Sequence, residues 1–76
     1  MNISFYDFGN NVITHWKNVQ YIPNVNDNVV LDNPKTNAKE VWCIREKLVF
    51  PNRIKCLCYK TMYYYDSNFD DEDLNF

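Results

Sequence analysis

The stretch Glu40-Val-Trp-Cys-Ile-Arg-Glu-Lys-Leu-Val-Phe50, followed by Pro51-Asn52-Arg53 and then Ile54-Lys-Cys-Leu-Cys-Tyr-Lys-Thr61, reads as two β-strands around a tight turn. Both arms are rich in β-branched, aromatic and other apolar residues interleaved with charges, and the turn carries proline and asparagine. Side-chain parity sets the register, because a slip of one residue exchanges the two faces. If the loop is Pro51, Asn52 and Arg53, then Phe50 faces Ile54, Leu48 faces Cys56 and Glu46 faces Cys58, and one face is almost wholly apolar. A two-residue loop would pair Leu48 with Lys55 and Lys47 with Cys56, and Pro51 cannot take the positive φ of a primed hairpin turn. The three-residue loop is therefore expected. Trp42 and Ile44 continue its inner face, and Arg45, Lys47, Lys55, Leu57 and Tyr59 project from the outer one. Glu46 is the misfit, which calls for a local bulge or a cationic partner.

Upstream, Asn2 to Phe8 and Val12 to Tyr21 flank the turn signal Gly9-Asn10-Asn11 and read as a first hairpin. Residues 23–28 form a loop, Val29-Val30-Leu31 a short strand and Asp32-Asn33-Pro34 a second turn. Five short strands with no helical period predict an all-β fold: a small five-stranded antiparallel barrel. An OB-like barrel usually carries a helix between its third and fourth strands, and residues 33–38 are too few for one and contain Pro34. The SH3-like barrel is preferred. Tyr21-Ile-Pro-Asn-Val-Asn-Asp-Asn-Val-Val-Leu31 resembles the Ile-Pro-x-Val-Gly-Asp-x-Val segment of small phage and bacterial β-barrel proteins of unknown role, with Asn26 in place of the usual glycine.

The 76 residues allow one domain, read as a barrel over 1–61 and a Tyr-rich, acidic tail over 62–76. At this size the core is marginal, and a 17% aromatic content partly compensates through the large area each ring buries. Apolar runs fall far short of the roughly 20 residues needed to cross a bilayer, and the N-terminus lacks a signal-peptide pattern. A cytoplasmic location is expected, in a host cell or virion if the chain is viral. The three cysteines, Cys43, Cys56 and Cys58, cannot close a disulfide framework among themselves, and with His15 the only histidine they do not make a zinc site. They are expected as reduced, buried apolar residues, with no metal or cofactor.

Charge divides the chain. Residues 1–65 hold eight Lys and Arg against five Asp and Glu, a net +3, and the tail adds Asp66, Asp70, Asp71, Glu72 and Asp73 for the overall −2. A tethered acidic segment beside a basic body can fold back and compete with a polyanionic ligand. On the barrel, Arg45, Lys47, Lys55, Tyr59 and Lys60 combine charge with ring surface, the chemistry that holds single-stranded nucleic acid weakly through phosphates and stacked bases. A solvated charged strand face remains the open alternative. Catalysis is not expected: His15, Ser4 and Ser67 are scattered in sequence, and one glycine, Gly9, makes no phosphate loop.

The final segment Phe69-Asp-Asp-Glu-Asp-Leu-Asn-Phe76 resembles the C-terminal tip of bacterial single-stranded DNA-binding proteins, with Asn75 where that family has proline. The resemblance implies docking on a partner protein: Phe76 entering an apolar pocket, Leu74 supporting it, and Asp70, Asp71, Glu72 and Asp73 meeting basic residues. A solubilising or packed end is the alternative. The expectation is thus a non-catalytic accessory protein, phage-like in its compactness and asparagine content. A small subunit of a virion-like assembly, or an inhibitor occupying a basic surface of a host protein, stands as the alternative, and a homo-oligomer is compatible with the small core.

Overall fold

The structure, a computed structural model, describes residues 1–63. They form five strands and no helix: β1 (Asn2–Tyr6), β2 (Val12–Trp16), β3 (Asn28–Asn33), β4 (Ala38–Phe50) and β5 (Arg53–Tyr63). The strands make one sheet in the order β2-β1-β5-β4-β3. The β1–β2, β3–β4 and β4–β5 pairs are antiparallel, whereas β1 runs parallel to β5. The sheet is therefore mixed where a wholly antiparallel one was expected. The cause is topological: the N-terminal hairpin sits beside the last strand, and residues 17–27 carry the chain across to the far edge at β3. Curling brings β2 near β3 without a ladder between them, giving a half-barrel.

The β4–β5 hairpin turns through two residues, Pro51 and Asn52, with Phe50 opposite Arg53, Val49 opposite Ile54, Leu48 opposite Lys55 and Lys47 opposite Cys56. This corrects the three-residue register. Neither turn residue has positive φ, so the turn is not a primed one and the fixed φ of Pro51 suits its first central position. The second cause is a bulge at Arg45: Ile44 pairs with Cys58 but Glu46 with Leu57, so β4 changes parity there. Trp42 and Ile44 face the core on one side of the bulge. On the other side, Leu48 and Phe50 share the outward face with Glu46, while Lys47 lies half-buried on the core side opposite Cys56. The bulge thus relieves the misfit of Glu46.

The core is built from Ile3 and Phe5 of β1, Leu31 of β3, Ile44 and Trp42 of β4, and Ile54, Cys56 and Cys58 of β5. Trp16 is half-buried and meets Phe5 edge to face, with ring centroids 4.8 Å apart at 67°. All three thiols are free and buried; Cys56 and Cys58 lie on the core face, and Cys43 opposes Tyr59 on the other. Burial pushes the Cys58 thiol up to about 12, with Cys56 and Cys43 adding to the effect.

Every residue with positive φ among those described is an asparagine: Asn10, Asn18, Asn26 and Asn37. Asparagine tolerates the left-handed region better than most side chains, so it does the turning in a chain with a single glycine. Asn26 (φ 77°) shows the consequence. Its backbone N–H donates to the Ile44 carbonyl at 2.7 Å, and Ile44 N–H donates to the Asp27 carbonyl at 3.0 Å, clamping the 24–27 loop beside the β4 bulge.

Glu40 is fully buried and its carboxylate is fully engaged. It accepts from Trp42 Nε1 and Asn33 Nδ2, each at 3.0 Å, and from Thr36 Oγ1 at 3.2 Å, with Lys60 Nζ 3.7 Å away. Burial alone raises its pKa, but the hydrogen bonds from Asn33, Trp42 and Thr36 and the Lys60 charge outweigh that and hold it below the ordinary value. One side chain therefore fastens the β3–β4 turn to β5.

Candidate nucleic-acid interface

Because Ile54, Cys56 and Cys58 point into the core, the alternate β5 residues Arg53, Lys55, Leu57 and Tyr59 must point away from it. The register sets Asn2, Ser4 and Tyr6 of β1 beside Arg53, Lys55 and Leu57, and Phe50, Leu48 and Glu46 of β4 beside the same three. On this outer face three cations lie over three rings. The Arg53 guanidinium is 4.7 Å from the Phe50 ring centre, Lys55 Nζ is 4.3 Å from that of Tyr6, and Arg45 is 5.7 Å from that of Tyr59. Lys55 Nζ also donates to Asn10 Oδ1 at 2.9 Å. Each such pair contributes about 0.5–1 kcal/mol at an exposed site, enough to hold long side chains in place and small enough to yield to a ligand.

The face is also apolar. Leu48 is 44% exposed, Tyr59 40% and Phe50 38%. Ring and aliphatic surface open to water, with cations interspersed, offers π-faces for stacking and charges for phosphate oxygens.

Of the residues picked out from the sequence, Arg45, Lys55 and Tyr59 meet on this face. Lys47 and Lys60 do not. The change of parity at Arg45 turns Lys47 toward Cys56, and Lys60 lies opposite Trp42 with its ammonium near Glu40. Tyr6, Phe50 and Arg53, which sequence reasoning did not single out, lie with Arg45, Lys55 and Tyr59 on this face. A two-residue turn, weighed on strand parity alone, would have put Phe50 and Arg53 on one face as cross-strand partners. Asp70, Asp71, Glu72, Asp73, Leu74 and Phe76 lie outside the described residues.

The structure also joins two residues that sequence separates, since Ser4 Oγ and His15 Nδ1 are 3.0 Å apart on paired strands. A larger cleft of about 420 Å³ opens between β2 and the β3–β4 turn, lined by Thr14, Asp32, Asn33 and Lys39 among others. No cluster of three or more His, Cys, Asp or Glu suited to a metal ion occurs among the described residues. Compared with protein-family models, curated proteins and solved structures, the chain matches none.

Proposed function

We propose that the chain is a non-catalytic binding protein whose outer sheet face holds single-stranded nucleic acid weakly, while its acidic segment ending Leu74-Asn75-Phe76 docks on a basic, apolar-floored pocket of a partner protein. The observation that carries the first part is the row of cation–ring pairs Arg53–Phe50, Lys55–Tyr6 and Arg45–Tyr59 on one open face. Single strands are the suited form, because their bases are free to stack and their phosphates follow a flexible path. The second part rests on the composition of residues 66–76 and their likeness to single-stranded DNA-binding tips. An accessory role in replication or repair, of the kind small phage proteins fill, and a cytoplasmic setting belong to the same proposal.

An SH3-like barrel is the proposed fold family. Five strands curled around one core, without a helix between β3 and β4, support it. The parallel β1–β5 pair departs from its antiparallel form.

A second reading, a subunit of a larger assembly, is favoured by the aliphatic exposure of Leu48 within the same face. Titrating the intrinsic tryptophan fluorescence with single-stranded oligonucleotides at two salt concentrations separates the two. Binding at low salt that weakens with added salt supports the nucleic-acid role; no binding at low salt removes it. Affinity capture with and without Phe76 tests the tail, since a partner retained by both chains is not anchored by that ring.

A further inference from the structure

At the turn end of the outer face, a small cleft of about 180 Å³ lies among Asn2, Ser4, His15, Lys17, Asn52 and Arg53. We propose that this cleft is a phosphate-binding site, and, resting on the reading above, that it seats a backbone phosphate of the bound strand.

Four features point to that ligand. The lining includes two permanent cations, Lys17 and Arg53, and an imidazole, but no carboxylate. An anion entering it gains charge-assisted hydrogen bonds without like-charge repulsion from the walls. The cleft is too small for the drug-sized ligands that fill pockets of roughly 300–1,000 Å³, and its size suits a single compact group. Two of its members are held in advance: the Phe50 ring supports the Arg53 guanidinium at 4.7 Å, and Ser4 Oγ fixes His15 through Nδ1 at 3.0 Å. When the serine hydroxyl donates to Nδ1, the imidazole proton sits on Nε2, which then serves as a donor to the ligand.

The register supplies the fourth feature. Ser4 pairs with His15 and Asn2 with Arg53, so the cleft begins where the row of cation–ring pairs begins. A strand stacked along Phe50, Tyr6 and Tyr59 would place a phosphate at this end. Arg53 then has two roles, with one side of its guanidinium on a ring and its N–H groups available to phosphate oxygens.

The test uses the full chain in two arms. In the first, inorganic phosphate is titrated at constant ionic strength while the amide and imidazole signals of Ser4, His15 and Arg53 are followed by NMR, in the wild type, Lys17→Gln and Lys17→Arg. Saturable shifts in the wild type, weakened at least several-fold by K17Q and kept by K17R, support the site. Absence of saturation, or equal shifts in wild type and K17Q, overturns it. The second arm measures oligothymidylate affinity against salt. K17Q is expected to lower the magnitude of the log–log slope by about 0.7, the increment for one single-strand phosphate contact. An unchanged slope in a chain that binds the oligonucleotide overturns the seating of a backbone phosphate. Oligonucleotide that fails to bind at all, with phosphate shifts intact, overturns the nucleic-acid reading and leaves the cleft a site for free phosphate.

Discussion

The Arg53 guanidinium rests 4.7 Å above the centre of the Phe50 ring, and these two residues are direct cross-strand partners closing the β4–β5 hairpin. A cation over a ring, on a face turned from the core, recurs with Lys55 and Tyr6, which are diagonal across the β1–β5 ladder, and with Tyr59 and Arg45, the residue at the β4 bulge.

If bases stack on this face, Phe50→Ala and Tyr59→Ala each lose a platform. Base stacking on an aromatic residue contributes about 1–3 kcal/mol, so each variant is expected to bind single-stranded oligonucleotide roughly 5- to 150-fold more weakly. Val49→Ala, at an exposed position whose cross-strand partner is core residue Ile54, should leave affinity unchanged. Fluorescence titration measures all three.

Glu40 gives the fold a dependence on acid. Its folded pKa lies below the ordinary 4.5, so the stability it contributes is present above that value and is lost as pH falls through the folded pKa. Thermal melts of the wild type should decline below about pH 4.5 more steeply than those of Glu40→Gln. Glu40→Ala leaves the Trp42 and Asn33 donors without their acceptor and should cost on the order of 3 kcal/mol at neutral pH, read by urea denaturation.

The core thiols should be silent in the native state. Cys58, pushed up to about 12, and Cys56, raised mainly by burial, lack both thiolate character and access. Labelling of these two by a thiol reagent, followed by mass spectrometry, is expected to track global unfolding. Fast labelling of either in buffer would mean that β5 opens locally.

Asn26 tests the loop clamp. Asn26→Gly keeps the φ of 77° without side-chain strain and should be close to neutral, whereas Asn26→Ala should lose about 1 kcal/mol because a Cβ disfavours that conformation. Chemical denaturation of both variants measures the difference.

Strand content was legible in the sequence because apolar and β-branched runs ended at proline, asparagine and glycine. The burial of the cysteines followed from the preference of free cysteine for apolar interiors. Register was not legible. The misfit of Glu46 called for a local bulge or a cationic partner, but nothing in residue type placed the bulge at Arg45, and its effect on parity moved Leu48 and Phe50 outward and Lys47 inward. The parallel β1–β5 pair was hidden for a related reason: local patterns identify hairpins, and pairing between the first and last strands is decided by how the whole sheet closes. The Ser4–His15 contact depends on the β1–β2 register, which includes an irregularity between Phe5 and Tyr6. Residue type and the expected strand parity suggested Arg45, Lys47, Lys55, Tyr59 and Lys60; the separation of Lys47 and Lys60 from that set, and the grouping of the others with Tyr6, Phe50 and Arg53, required the fold.

The most direct measurement is an NMR map of backbone and side-chain shifts in the full chain as oligothymidylate is added at low salt. Shifts concentrated on Tyr6, Phe50, Arg53, Lys55 and Tyr59, sparing Lys35 in the β3–β4 turn and Lys39 at the start of β4, are expected from a strand lying along the outer face. Saturable binding whose shifts fall instead on the β3–β4 turn, or no binding, would show that the cation–ring row is not a nucleic-acid surface.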